Sequence, residues 1–335
     1  MLLVAAVRTG ETPVPQGMTK FPRYRFTPLR AGRLMLDGGG MFGLVPKVVW
    51  GKTVPTDDRN RITLNHNCLL LHRVDRPDAK PVVIETGTGD KADAKMRDIF
   101  GLEERSVIDA VEETGTRCAD VGTVIVSHLH FDHAGGLTRR VRDGEVPDWA
   151  DPKDASSRVK LTFPHAKVIA QRREWDDAVA NNSVMTRTYF RDHLEPIRDH
   201  LQLVESPTPF EPGHFPQRDE MPRSSARERL TEVAPGVFVF LVPGHTWGQQ
   251  AVLFTDDRGR TVVFTPDVMP TVWHVGAAYN LAYDVEPYTS MITRRWFLEE
   301  AAGNGWLLYL DHEHGDPLQR VERDGKGWFK LVPAQ

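Results

Sequence analysis

The run Ser127-His128-Leu129-His130-Phe131-Asp132-His133-Ala134-Gly135-Gly136 constrains this chain more than any other stretch. Three histidines and an aspartate fall within six positions, directly behind the apolar run Val121 to Val126. A short apolar run of that kind reads as a buried strand, so the cluster sits where the strand exits. Imidazole and carboxylate together suit zinc and similar first-row divalent ions. Four such donors at one strand exit crowd a single ion. The crowding points to two metals, and two-metal sites belong to hydrolytic chemistry. The fold must then bring further donors to the same place from elsewhere in the sequence.

Candidates for those donors recur at strand ends. Val237 to Val242 leads to Pro243-Gly244-His245, Thr261 to Thr265 leads to Asp267, and Trp306 to Leu310 leads to Asp311-His312. Strand ends project side chains into the crevice at one edge of a sheet, where ligands of α/β folds bind. Each of these residues alone also reads as a turn residue, and Asp267 behind Pro266 as a turn cap. Their agreement across separate strands favours the metal reading. His128 and His130, two apart on extended chain, point the same way and can share one ion. Asp132 and His133 lie past the turn and can reach a second. His245 and His312 supply one donor each, and the Asp267 carboxylate can bridge both ions.

The remaining pattern is α/β. Asn67 to Val74 and Pro81 to Thr86 read as strands joined by the turn Asp75-Arg76-Pro77-Asp78. Ala92 to Phe100 and Ser106 to Glu113 have helical spacing, and so do Arg172 to Val179 and Tyr189 to His200. Pro287 to Ala302 reads as a helix ended by Gly303. Asp37-Gly38-Gly39-Gly40-Met41-Phe42-Gly43 lacks a P-loop ending and reads as a tight loop approaching a ligand or another strand. Residues 206–228, rich in Pro, Arg, Glu and Ser, form a long loop, either a lid or a solvated excursion.

A length of 335 residues allows one large domain or two small ones. The net charge of −4 advertises no nucleic-acid partner. Cys68 and Cys118 give no disulfide framework and fit a reducing compartment. Met1 to Val7 is too short for a signal peptide, and no run approaches the ~20 apolar residues of a membrane span. A cytoplasmic protein without a membrane partner is the expectation, and a homodimer is the commonest assembly for such an enzyme.

His128-x-His130-x-Asp132-His133, Pro243-Gly244-His245, Asp267 and His312, in that order, resemble the metallo-β-lactamase superfamily. The resemblance runs from about Asn67 to His312, and Glu85-Thr86-Gly87-Thr88-Gly89-Asp90 is similar to an early Asp-Thr-Gly element, with Glu85 in place of the aspartate. It implies a four-layer αβ/βα sandwich with a dinuclear metal site at one edge of the sheets. The whole chain is then one domain, with an N-terminal extension over about residues 1–60. His128, His130 and His245 would hold the first ion, Asp132, His133 and His312 the second, and Asp267 would bridge. His314 is the alternative last ligand. Zinc is the first expectation for the metal, with cobalt, manganese and iron as alternatives.

Histidine at position 130 favours the hydrolases over the flavodiiron branch, which carries glutamate there. Neither cysteine lies at a ligand position, which disfavours the antibiotic-hydrolysing branch. The pattern is most similar to the quorum-quenching lactonases, on Leu129, Phe131, Gly135-Gly136 and Tyr283-Asp284. It departs at Pro270, where acyl-homoserine lactonases often carry a tyrosine; Tyr279 and Tyr283 are candidates to replace it. The implied reaction opens an ester or lactone, such as an acyl-homoserine lactone, with a metal-bridging hydroxide, and Asp132 moves a proton. Aryl esters, phosphotriesters, glyoxalase II-like thioesters and a non-catalytic metal-binding scaffold are the alternatives. His274, Tyr283, Met41 and Phe42 are candidates for the pocket of this small-molecule substrate; Phe42, Trp50 and Trp273 also read as plain core, and His274 as a satisfied structural histidine.

Overall fold

The computed structural model describes residues 21–182, 187–209, 225–276, 278–326 and 328–334. The first half of the chain supplies β1 (Arg23–Asp37), β2 (Arg61–Arg73), β3 (Val82–Ile84) and β4 (Thr123–Ile125). A small side sheet follows, made of β5 (Thr138–Arg140), β6 (Trp149–Asp151) and β7 (Asp154–Leu161). The chain then returns to the main sheet with β8 (Lys167–Gln171) and β9 (Leu201–Val204). The second half supplies β10 (Thr231–Ala234), β11 (Val237–Leu241), β12 (Gln250–Asp256), β13 (Thr261–Thr265), β14 (Leu307–Leu310), β15 (Leu318–Arg323) and β16 (Phe329–Pro333).

The main strand order is β16-β15-β14-β13-β12-β1-β2-β3-β4-β8-β9, with β11 also on β12 and β10 on β11. The stretch before residue 61, expected as an extension, therefore contributes a central strand. β1 pairs antiparallel with β2 from Tyr24↔Arg73 to Asp37↔Arg61. Its first two residues lie parallel to Thr255 and Asp256 of β12, which joins the two halves. β2 also begins earlier than its continuous apolar run suggests. Ile62 and Leu64 are buried and alternate with half-buried Arg61 and Thr63, the signature of a strand with one solvated face.

Three apolar layers explain the architecture. Between the sheets, Leu69, Ile84 and Ile125 of the first half meet Val239, Phe254 and Phe264 of the second. Outside the first sheet, Val107 and Val111 of the helix Val107–Glu112 pack over Val83 and Val124. Outside the second, Trp296, Phe297 and Ala301 of the helix Pro287–Asn304 pack over Phe240, Val263 and Leu308. The layers are helix, sheet, sheet and helix, an αβ/βα sandwich.

Three expected elements differ. Tyr189 to His200 is one α-turn, Arg191–Leu194, that tightens into a 3₁₀ helix over Glu195–His200, because Pro196 cannot donate to an α ladder. The last helix passes through Gly303 and ends at Gly305, whose φ of 65° terminates it. The Gly-rich segment is not a loop but the helical turn Gly38–Phe42, capped by the Asp37 carboxylate, which accepts from the Gly40 N–H at 3.1 Å. Most of the long loop expected over 206–228 lies outside the described residues, as do Met1 to Val7 and His214. No helix among the described residues is long and apolar enough to cross a membrane.

Strand direction places the site. β3, β4 and β8 run parallel, and so do β13 and β14, so their exits share an edge with neighbours on their own sheet. Gln250, at the start of β12, fastens the two edges together. Its side-chain amide donates to Val126 O at 2.8 Å and its N–H to Ser127 O at 2.9 Å.

Candidate metal centre

β4 delivers His128, and His130 stands at the start of the single helical turn Phe131–Ala134. His130 O accepts from the N–H groups of His133 and Ala134, at 3.0 and 2.9 Å. That turn folds His133 back beside His128, with ring centroids 4.0 Å apart. The following glycines are steric requirements. A Cβ on Gly136 would lie 2.2 Å from Thr86 O, in the strand exit that also holds His133 O through the Thr86 hydroxyl.

His128, His130 and His245 form one group of buried donors, and His133, His312, Asp267 and Asp311 form another. In the first, His245 Nε2 lies 3.0 Å from His130 Nδ1 and 3.1 Å from Asp267 Oδ2. His128 Nε2 is buried without a hydrogen-bond partner, 3.9 Å from Asp267 Oδ2. In the second, His133 Nε2 and His312 Nε2 are 3.2 Å apart. Asp267 Oδ1 is 3.4 Å from His312 Nε2, and Asp267 Oδ2 is 3.7 Å from His133 Nε2. Asp132 Oδ2 stands 3.8 and 3.7 Å from the same two nitrogens. Donors held ~2.1 Å from one ion are separated by roughly 3.0–3.4 Å at adjacent coordination positions. The spacing and the unpartnered buried atoms fit a divalent ion in each group, with Asp267 facing both. His314 is exposed and pairs with Asn65 Oδ1, so His312 is the inward residue of that segment.

The nitrogens that face away from the site are held in place. His128 Nδ1 meets the Ser127 hydroxyl at 2.9 Å, His245 Nδ1 meets Asp284 Oδ1 at 3.0 Å, and His312 Nδ1 meets Asn65 O at 2.9 Å. His133 Nδ1 lies 3.5 Å from Glu85 Oε2. Such partners fix the tautomer and aim the opposite nitrogen at the metal. Glu85 takes a left-handed φ of 67°, uncommon outside glycine. It is kept there by its carboxylate, which accepts from the Ser127 N–H at 2.6 Å. Glu174 joins the two ligand loops, accepting from Leu129 N–H at 2.9 Å and from the Thr246 hydroxyl at 2.6 Å.

Burial and the neighbouring imidazoles keep His128 and His130 well below the usual histidine range, in the neutral form that binds metal. Burial opposes charge on His133, but Asp132 and Glu85 outweigh it and hold that group high. Burial also opposes charge on Asp267, and His245 and His312 overcome it, so the carboxyl stays well below its ordinary range.

Above the site opens a cavity of about 510 Å³, with His130, Asp132, His245, Asp267 and His312 on its polar side. Leu36, Met41, Phe100, Phe131 and Leu281 give it an apolar wall, and Tyr283 stands on the lining. Tyr283 fits there because Gly40 has no side chain: a Cβ at Gly40 would sit 2.1 Å from the tyrosine hydroxyl. Two candidates for the pocket lie behind the wall instead. His274 is fully buried, with Nδ1 on the Thr271 hydroxyl at 2.8 Å and Nε2 on Met41 O at 2.8 Å. Its ring stacks on Phe42, which is core with Trp50 and Leu64. Tyr279 packs edge-on against Phe42, which leaves Tyr283 as the tyrosine on the cavity.

Three functional neighbours escaped the sequence reading. Asp284 sits in a segment that was noticed, and Asp311 lies beside a recognised ligand, yet neither has a ligand-like spacing of its own. Glu174 lies inside an ordinary helical pattern, Arg172–Ala180, and carries no local signal.

The sequence model of the Metallo-beta-lactamase superfamily matches residues 61–312. The N-acyl homoserine lactonase of Bacillus thuringiensis is 25% identical over 171 residues, 50% of this chain and 47% of that protein. That of Bacillus cereus is 24% identical over 169 residues, with the same coverage. The chain spans about half the length of the curated relatives it matches. A probable metal-dependent hydrolase from Staphylococcus aureus superposes with a TM-score of 0.71 at 23% identity, over 95% of this chain and 100% of that one. AidC, a dizinc quorum-quenching lactonase solved with a product, gives 0.65 at 17% identity, over 94% and 98%. At these identities the structural likeness is one of fold.

Proposed function

The chain belongs to the metallo-beta-lactamase superfamily, and from that premise we propose that it is a dinuclear-metal hydrolase of esters or lactones carrying an apolar group. The observation that carries the reading is the convergence of His128, His130, Asp132, His133, His245, Asp267 and His312 at one end of an apolar cavity. His128, His130 and His245 would hold one ion and Asp132, His133 and His312 the other, with Asp267 facing both groups. Divalent ions there, zinc being the best match to the imidazole set, supply Lewis acidity and lower the pKa of water. The chain's own groups do the rest. The wall of Met41, Phe131 and Leu281 takes the apolar part of the substrate and keeps bulk water off the carbonyl. Asp132 lines the cavity, where its carboxylate would take the proton lost by the water that adds to the carbonyl and pass it to the alkoxide released as the C–O bond breaks. Tyr283, at the mouth of the cavity, donates from its phenol hydroxyl to the substrate. Acyl-homoserine lactones, the substrates named for the Bacillus relatives, match an apolar tail on a neutral ring ester.

The test is turnover by the metal-loaded protein on an N-acyl homoserine lactone, an aryl ester, a phosphotriester and a thioester. Lactone or ester hydrolysis that disappears in a folded His128→Ala variant supports the proposal. Turnover confined to the thioester or the phosphotriester moves the reading to those substrates. Two bound ions with no turnover on any arm would leave a metal-binding scaffold.

A further inference from the structure

The two donor groups are chemically unequal, and the difference rests on Asp311. The residue is 2% exposed, and neither carboxylate oxygen has a hydrogen-bond partner. Its backbone is pinned from both sides: Asp311 N–H donates to Thr265 O at 3.2 Å, and Asp311 O accepts from the Asn67 N–H at 2.8 Å. Held between β13 and β2, the carboxylate lies 4.0 Å from His312 Nε2 and within 4.8 Å of the facing atoms of His133 and Asp267. Its neighbours in that donor group, His133, Asp267 and His312, are buried as well, so solvent does not compensate its charge. Such a group is costly unless something positive compensates for it.

Building on the metal reading above, we propose that Asp311 is a fifth protein donor to the second ion. That ion is then held by Asp132, His133, Asp267, Asp311 and His312. The first ion keeps His128, His130, His245 and the shared Asp267. Four donors dominated by imidazole match four-coordinate zinc. Five donors, three of them carboxylates, match a harder ion that accepts six-coordination, such as manganese or ferrous iron. The second position thereby accepts a harder, six-coordinate ion more readily than the first, and the difference is set by one aspartate at the end of β14.

The full-length chain, stripped with chelator and titrated separately with zinc and with manganese, tests this by metal analysis, without recourse to activity. The wild type should bind two zinc ions per chain, and manganese alone should fill the second position more tightly than the first. Asp311→Asn, nearly isosteric, should keep the first ion and weaken the second by about tenfold or more. His128→Ala should show the converse loss, so the assignment stays testable if the Asp311 variant folds poorly. Circular dichroism and thermal melts of the stripped proteins separate folding from binding: apo Asp311→Asn should melt no lower than the apo wild type, while its metal-induced rise in Tm shrinks. An Asp311→Asn protein that binds both ions with wild-type ratio and affinity overturns the Asp311 assignment alone. A wild type that binds fewer than two ions overturns both this inference and the dinuclear reading.

Discussion

The two halves of the sandwich supply the proposed ligands in opposite ways. The first half concentrates His128, His130, Asp132 and His133 on one strand exit and one helical turn. The second half sends His245, Asp267 and His312 from three separate exits, those of β11, β13 and β14. The first arrangement is local, and a few backbone hydrogen bonds around His130 build it. The second exists only when β13 and β14 lie side by side and the sheets are stacked. A concentrated loop tolerates loss of one neighbour, whereas dispersed donors depend on whatever holds their strand ends in register.

The sharpest way to break this comparison is Asp267→Asn, because Asp267 faces both donor groups. Loss of that carboxylate should reduce kcat/KM by on the order of 10³-fold, equivalent to several kcal/mol of metal-assisted stabilisation. It should also lower metal content toward one ion per chain. A variant with two tightly bound ions and near-normal turnover would remove Asp267 from the bridging position.

The supports come next. Asp284→Asn removes the carboxylate behind His245, and Glu85→Gln alters the one behind His133. Each should weaken metal affinity by about 10- to 100-fold. Asp284→Asn should act on the ion held by His245, and Glu85→Gln on the other, as read by chelator competition. Equal effects on both ions from either variant would mean the two donor groups are not independent.

Smaller again is the effect at the pocket wall. Gly40→Ala places a Cβ where the Tyr283 hydroxyl now lies, and Tyr283→Phe deletes that hydroxyl. Both should lower kcat/KM by about tenfold, the value of one ordinary hydrogen bond, with metal content unchanged. If Gly40→Ala is silent while Tyr283→Phe is not, the ring has room to move and the glycine is not what seats it.

What the sequence revealed follows the same division. The concentrated cluster was legible because four donors within six positions carry their own statistical weight. His245, Asp267 and His312 were legible only through their repeated place after apolar runs, together with a family resemblance. The supporting residues were not, because Glu174 and Asp311 take their places through contacts with elements far apart in the chain. β1 was missed for a related reason. Its burial is mixed along its length, and its place between β12 and β2 is set by partners rather than by periodicity. His274, seven residues after Asp267, and Phe42, an aromatic beside Met41, each read as pocket lining or as core from the sequence, and packing makes both the wall's backing.

The helix over the second half offers the mildest test. The sequence places its end at Gly303, and the structure places it at Gly305. Gly303 is then an interior helical residue with nothing within 4 Å of a Cβ added there, so Gly303→Ala adds no clash and removes unfolded-state freedom. It should stabilise the protein by about 0.5–1 kcal/mol. Gly305 also has open space, but its φ of 65° disfavours any side chain, so Gly305→Ala should destabilise by roughly 1 kcal/mol. Opposite signs from two neighbouring glycines, read by urea unfolding, locate the helix end. If the signs are reversed, the helix stops at Gly303, with Trp296, Phe297 and Ala301 still covering Phe240 and Leu308.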